Sequence, residues 1–198
     1  MVVTMEDQYK TVAREMTTKC KIQRSLFIAH VRETPTEKEA RAFIARTSSE
    51  HKQATHNCWA YRIGVGKDEV SYFDDNGEPR GTAGKPIYGA ILSRGITNVA
   101  VVVTRYFGGK KLGVRGLIEA YAGAAGDAID HAGIITKRLR TTFSFTCTYA
   151  QLDQVHHLLN QLEGEILESS YSDSVKLTIA VPRSQAPQLQ KSLADLAR

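Results

Sequence analysis

Two glycine-rich stretches decide how this chain reads: Asp74-Asp75-Asn76-Gly77-Glu78-Pro79-Arg80-Gly81-Thr82-Ala83-Gly84-Lys85-Pro86 and Arg105-Tyr106-Phe107-Gly108-Gly109-Lys110-Lys111-Leu112-Gly113-Val114-Arg115-Gly116. Glycine is used where backbone must turn with positive φ, or where something comes close to the main chain. Interleaved with Arg and Lys, these glycines describe a surface of accessible N–H groups and cations, which suits an anion. From residue 76 to residue 116 there are seven cations and a single acid, Glu78, a net +6 against +5 for the whole chain. The basic balance therefore sits at the centre of the chain. It points to phosphate, nucleic acid or an acidic protein as a partner. The alternative is an ordinary solvated face built from turns.

Working outward, residues 98–104 lead into the second stretch as a strand. Val99 to Val103 is an unbroken apolar run, four of its five residues β-branched, which predicts a central strand covered on both faces. A helix over about 114–131 leaves the stretch. Its helical spacing places Val114, Leu117, Ile118, Tyr121, Ala125, Ala128, Ile129 and Ala132 toward the core. Gly123 and Gly126 predict close packing of that helix on a sheet. The first stretch lies between a strand over 70–73 and a short helix over 86–92. Further upstream, 56–65 reads as a strand. Thr36 and Glu39 form a capping box opening a helix that buries Ala40, Phe43, Ile44 and Thr47. Residues 26–31 and, more weakly, 9–20 alternate as strands, the latter at an edge.

Downstream, 133–140 marks a boundary, with Lys137, Arg138 and Arg140 solvated. A strand over 141–149, a helix over 150–163, a hairpin closed at 172–174 and a helix over 184–196 follow. This is a βαββα order, a ferredoxin-like unit without its final strand. The chain divides into domains over 1–136 and 137–198, and the fold class is α+β. Residues 151–198 hold four cations and six acids, so the basic character belongs to the first domain.

Composition sets outer bounds. The 198 residues are 42% hydrophobic and 24% charged, as in soluble globular proteins. No run reaches the roughly 20 apolar residues of a membrane helix, and residues 1–16 lack the apolar core of a signal peptide. Cys20, Cys58 and Cys147 are widely spaced and read as reduced thiols of a cytoplasmic protein rather than a zinc site.

The two stretches resemble the signature of the YigZ/IMPACT family. The resemblance rests on Phe73 through Pro79, Gly81 through Pro86, Arg105 through Gly109, Lys111-Leu112-Gly113 and Gly116 through Tyr121, with support from His56 through Tyr61 and Lys21 through Ile28. It covers nearly the whole chain and implies two domains. The first would resemble a domain of ribosomal protein S-five, ribonuclease P protein and the fourth domain of elongation factor G. The second would resemble the ferredoxin-like fifth domain of that factor. Eukaryotic relatives carry the first type of domain in a translation regulator that competes for the activator of an amino-acid-sensing kinase. The bacterial two-domain type implies nucleic-acid or ribosome binding by analogy of fold. Three departures stand out. Val114-Arg115-Gly116 replaces a usual Thr-Gly-Gly and adds a cation. Asn76 varies a usual Asp-Asp-Gly. The last strand of the second domain is missing, which leaves its sheet open-edged or completed by another chain.

Each motif has a plainer counterpart. Asp74, Asp75 and Glu78 could hold a metal, but Asp-Asp-Asn-Gly is turn chemistry in its own right, and the turn is the favoured reading. His56 and Cys58 share a strand face and could form a nucleophile pair; a packed pair is favoured. GxxxxGK[ST], GxSxG and HExxH are all absent. The chain therefore reads as a non-catalytic binding protein, associated with RNA or the ribosome and with translation regulation, with no cofactor and no membrane partner. Its expected anion surface is Arg80, Lys85, Arg105, Gly108, Gly109, Lys110, Lys111 and Arg115. The family-motif loop is Asp74, Asp75, Gly77, Glu78, Pro79, Gly81, Thr82 and Gly84. One alternative is a phosphate- or nucleotide-binding enzyme with Asp74 or Asp75 on the metal. Another is a regulator read by an acidic protein. For Arg105 a further alternative is a pairing with Asp74, Asp75 or Glu78 that only joins the two loops.

Overall fold

A computed structural model describes residues 7–196. The strands and helices are β1 (Gln8–Val12), β2 (Met16–Ile22), β3 (Ser25–Glu33), α1 (Glu37–Glu50), β4 (His56–Ile63), β5 (Val70–Asp74), α2 (Gly84–Ser93), β6 (Val99–Tyr106), α3 (Gly113–Ala132), β7 (Ile134–Arg138), β8 (Arg140–Cys147), α4 (Leu152–Gln161), β9 (Glu165–Tyr171), β10 (Val175–Pro182) and α5 (Ala186–Leu196). They fall into two compact units. Among the described residues, one is 9–136; the other is 137–196 with Asp7 and Gln8. The sequence reading gives all of 1–136 to the first domain, whereas Asp7 accepts hydrogen bonds from the backbone N–H of Leu139 and Ser184.

In the first unit a five-stranded sheet has the order β2-β3-β6-β4-β5, every neighbouring pair antiparallel. The apolar run makes β6 central, as its composition predicts. Val99, Val101 and Val103 face α2 and α3, while Ala100 and Val102 face α1. Packing on both faces leaves no position in this strand for a solvated side chain, which is why it reads as continuous rather than alternating. α1 is capped by Thr36, whose Oγ1 accepts the N–H of Glu39, and buries Ala40, Phe43, Ile44 and Thr47 as expected.

β5 and β6 both run antiparallel to β4 and hence parallel to each other. Asp74 ends β5 opposite Trp59, and Arg105 lies near the end of β6 opposite His56. Both glycine-rich stretches therefore leave the same end of the sheet, and α2 and α3, which follow them, pack together on one face.

The second unit has the βαββα order, with sheet order β8-β10-β9. α4 and α5 cover one face, where Val155, Leu159, Leu189 and Leu193 meet Cys147, Val175, Leu177 and Ile179.

Three expectations are corrected. Residues 9–20 form two strands, β1 and β2, rather than one. On α3, Val114 and Ile118 are 62% and 39% exposed, and the core face is completed by Ala120 and Ala124, so the stripe is rotated from the predicted one. Small residues let α3 approach its neighbours on a side that a search for large apolar residues passes over. Gly126 does meet a close neighbour, but it is the Arg94 side chain rather than the sheet, and Gly123 faces open space.

Candidate functional site

The end of the sheet where β5 and β6 finish is assembled around a buried acid. Glu78 Oε1 accepts from Arg105 Nη1 (2.6 Å) and from the Tyr121 hydroxyl (2.8 Å). The Glu78 and Arg105 side chains are only 4% and 6% exposed. His56 Nε2 lies 3.9 Å from Glu78 Oε2. The guanidinium of Arg105 sits against the rings of Phe27 and Phe107, 5.6 and 5.3 Å from their centroids. Nη2 of the same guanidinium donates to Ser25 Oγ. A buried charge is costly unless it is paired and hydrogen-bonded, and the pairing here ties the first glycine-rich stretch to β3, β6 and α3 at once.

Arg105 is therefore corrected as an anion-binding residue. It is engaged by Glu78 and shielded between two aromatic rings, so it joins the loops instead of facing a ligand.

The start of β4 is stitched to the same loop. The Cys58 thiol donates to the Asp75 carbonyl (2.9 Å), His56 Nδ1 bonds the Asn76 carbonyl (2.8 Å), and the Asn57 N–H donates to Asn76 Oδ1 (2.9 Å). Burial pushes the Cys58 thiol up to about 12, with Glu78 and Asp75 adding to it. Burial likewise holds the Tyr121 phenol far above its ordinary value, so it stays a donor. Cys58 is wholly buried and its proton is given to a carbonyl. His56 turns both ring nitrogens to the loop. This is a packed pair rather than a nucleophile and its base.

Asp75 is the cap of α2. Its Oδ1 accepts the N–H groups of Ala83 (3.0 Å) and Gly84 (2.8 Å), and its Oδ2 accepts that of Gly81 (2.7 Å). Asp74 Oδ1 takes the N–H of Asn76. Both carboxylates hold the turn together, the reading favoured from sequence. A carboxylate at a helix N-terminus satisfies free N–H groups and the dipole together. A side chain at Gly84 would meet the Asp74 backbone at 2.8 Å, so this position is closed to anything larger.

α3 begins differently. Its N-cap is Leu112, whose own side chain makes no capping hydrogen bond, and among the described residues no carboxylate takes its first N–H groups as Asp75 does for α2. Gly109 and Gly113 both have positive φ, and a Cβ at either would meet nothing within 4 Å. Lys110, Lys111 and Arg115 are exposed around them. Arg115 bonds Glu119 one turn on but stays 92% exposed. Among the described residues Lys110, Lys111, Arg80 and Lys85 make no ion pair. Gly108 is the exception among the loop glycines expected to admit a ligand: a Cβ there would collide with the Arg24 carbonyl at 1.9 Å, so the close neighbour is the chain itself. The Phe107 and Gly108 N–H groups are held by Thr55 Oγ1 and Ser25 Oγ.

The remaining motif residues divide by location. Gly77 has φ 87° and packs on His56; Pro79 accepts the Thr82 hydroxyl and N–H at its carbonyl. Ser25, Thr55 and the Tyr121 hydroxyl were not legible as parts of this site. Ser25 lies 80 residues from Arg105 in the chain, and Tyr121 reads as one more core position of α3.

Fold and site together define a two-domain α+β protein with two glycine-rich loops locked at one end of an antiparallel sheet. The Impact N-terminal domain model matches residues 23–129, and a domain of unknown function, DUF1949, matches residues 145–198. The chain belongs to the IMPACT family. It is 35% identical over 178 residues to IMPACT family member YigZ of Escherichia coli (strain K12), covering 89% of this chain and 87% of that one. It is 34% identical over 175 residues to IMPACT family member YvyE of Bacillus subtilis (strain 168), covering 88% and 80%. A solved structure titled as that of a hypothetical protein superimposes with a TM-score of 0.71 at 34% identity, covering 96% of this chain and 92% of that chain.

Proposed function

We propose that this protein is a non-catalytic binding protein that takes a phosphate-bearing ligand, RNA or the ribosome, at the start of α3, and that it acts in translation regulation. The observation that carries this reading is the contrast between the two helix starts. Asp75 already supplies the anion for α2, whereas among the described residues no carboxylate meets the first N–H groups of α3, which opens between Lys110, Lys111 and Arg115. Free N–H groups, the helix dipole and three exposed cations favour an anion there. Asp75 is engaged by three N–H groups, which speaks against the enzyme alternative, where it would hold a metal. No helix among the described residues is long and apolar enough to cross a membrane, and the three cysteines are free.

The test is fluorescence anisotropy with labelled single-stranded RNA across a salt series, comparing wild type with K110A/K111A/R115A. The variant should bind more weakly, with a log–log salt slope flatter by about 0.7 for each phosphate that it no longer neutralises. Equal affinity and slope would remove this loop from the binding surface. Absence of binding by the wild type would redirect the reading to a protein partner.

A further inference from the structure

β5 is one of the two edges of the five-stranded sheet, and all five of its residues are exposed. Val70, Tyr72 and Phe73 are 44%, 60% and 42% exposed. The other edge, β2, carries Lys19 and Lys21 within the strand, the usual protection against pairing with another chain. β5 has no Lys, Pro or bulge, and its one charge, Asp74, is its last residue. Just before it, Glu69 is already neutralised by Arg62 at 2.7 Å.

The side chains continue the theme. Trp59 stacks on Tyr61 with centroids 5.8 Å apart, and Tyr61 stacks on Tyr72 at 6.4 Å. This ladder crosses β4 to β5 and stops at Tyr72, on the free edge.

We propose that β5 is a self-association edge, on which a second copy of this chain pairs its own β5 antiparallel about a two-fold axis at Tyr72. An antiparallel two-fold places one residue opposite its own copy. Only the register centred on Tyr72 pairs all five residues. It sets Val70 opposite Asp74, Ser71 opposite Phe73 and Tyr72 opposite Tyr72, so no like charges meet within the strand; just beyond it Glu69, paired with Arg62, comes opposite Asp75, whose carboxylate is taken up by three N–H groups. Directly opposed residues of an antiparallel pair share a face and come within reach of each other. The two aromatic ladders would therefore join into one. A register centred on Ser71 instead pairs only Val70, Ser71 and Tyr72 within the strand, which disfavours it. Five residues form a small interface, so the dimer is concentration-dependent rather than permanent.

Sedimentation velocity over a concentration series tests this on the full chain. The wild type should move from monomer toward dimer mass as concentration rises. Tyr72→Lys should stay monomeric with an unchanged far-ultraviolet spectrum. Ser71→Lys, which places the same charge on the opposite face without touching the Tyr61 stack, should do likewise. Hydrogen exchange should show the β5 amides slowing with concentration in the wild type alone. A wild type that is monomeric throughout, a dimer that survives both lysines, or β5 exchange that ignores concentration would each overturn the proposal.

Discussion

Arg105 and Glu78 meet at 2.6 Å, both almost wholly buried, and their ion pair is what holds the second glycine-rich stretch to the first. Breaking such a pair by removing one partner leaves a charge buried alone, at about 3–5 kcal/mol. Glu78→Gln and Arg105→Met should each lose stability of that order in urea unfolding. The double substitution should lose clearly less than the two losses added together, because it leaves no unpaired charge. Additive losses would mean the two side chains act independently of their pairing.

Tyr121→Phe removes one donor from Glu78 while keeping the ring that packs edge-on against Phe27, 5.3 Å between centroids. A hydrogen bond to a charged group contributes about 1.5–3 kcal/mol. A loss in that range, with the fold intact by circular dichroism, is the expected result. No loss would show that Arg105 alone satisfies the carboxylate.

Asp75→Ala should destabilise the first unit by about 1–2 kcal/mol, the scale of a lost N-cap, since three N–H groups lose their acceptor. Asp75→Asn keeps an acceptor oxygen and should recover part of the loss. The check is the urea midpoint of each variant beside the wild type.

Acid should weaken the fold through His30. Burial, with His51 beside it, lowers its pKa to about 4 against the ordinary 6.5; Lys19 acts in the same direction, and Glu50 and Glu15 oppose it. Its Nε2 is buried without a partner, and its Nδ1 bonds Thr17 Oγ1. Between those two values the unfolded chain binds a proton that the folded chain does not. The stability from neutral His30 is therefore complete above about pH 6.5 and lost progressively toward about pH 4. His30→Asn should flatten the fall in the urea midpoint across that window. An unchanged pH slope would assign the acid sensitivity elsewhere.

Thiol labelling separates the cysteines. Cys58 is buried, bonded to a carbonyl and raised to about 12, and Cys147 is buried. Cys20 is only half-buried and should react first with an aromatic disulfide in the native protein, while the other two react on unfolding. Rapid native labelling of C20S would show that the site opens.

Much of this architecture is determined by local sequence alone. The run from Val99 to Val103 predicts a strand covered on both faces, because it is short, unbroken in apolar character and β-branched at four of its five positions. Thr36 and Glu39 announce the start of α1, and Asp-Asp-Asn-Gly announces a turn. The family signature is likewise a property of the sequence. Tertiary structure decided what the charges do. From residue order, Arg105 belongs equally to the exposed cations of its loop or to an acid of the other loop; only the parallel course of β5 and β6, set by their shared pairing to β4, brings Glu78 within reach and buries both. The same holds for Asp75, whose partners are the N–H groups of Gly81, Ala83 and Gly84, which converge on it only once the loop has turned into α2. It holds for α3, whose core face is chosen by small residues packing closely on the sheet. Local propensity reaches a few residues along the chain, whereas a buried charge is satisfied by whatever the folded sheet brings beside it, here from Ser25 to Tyr121.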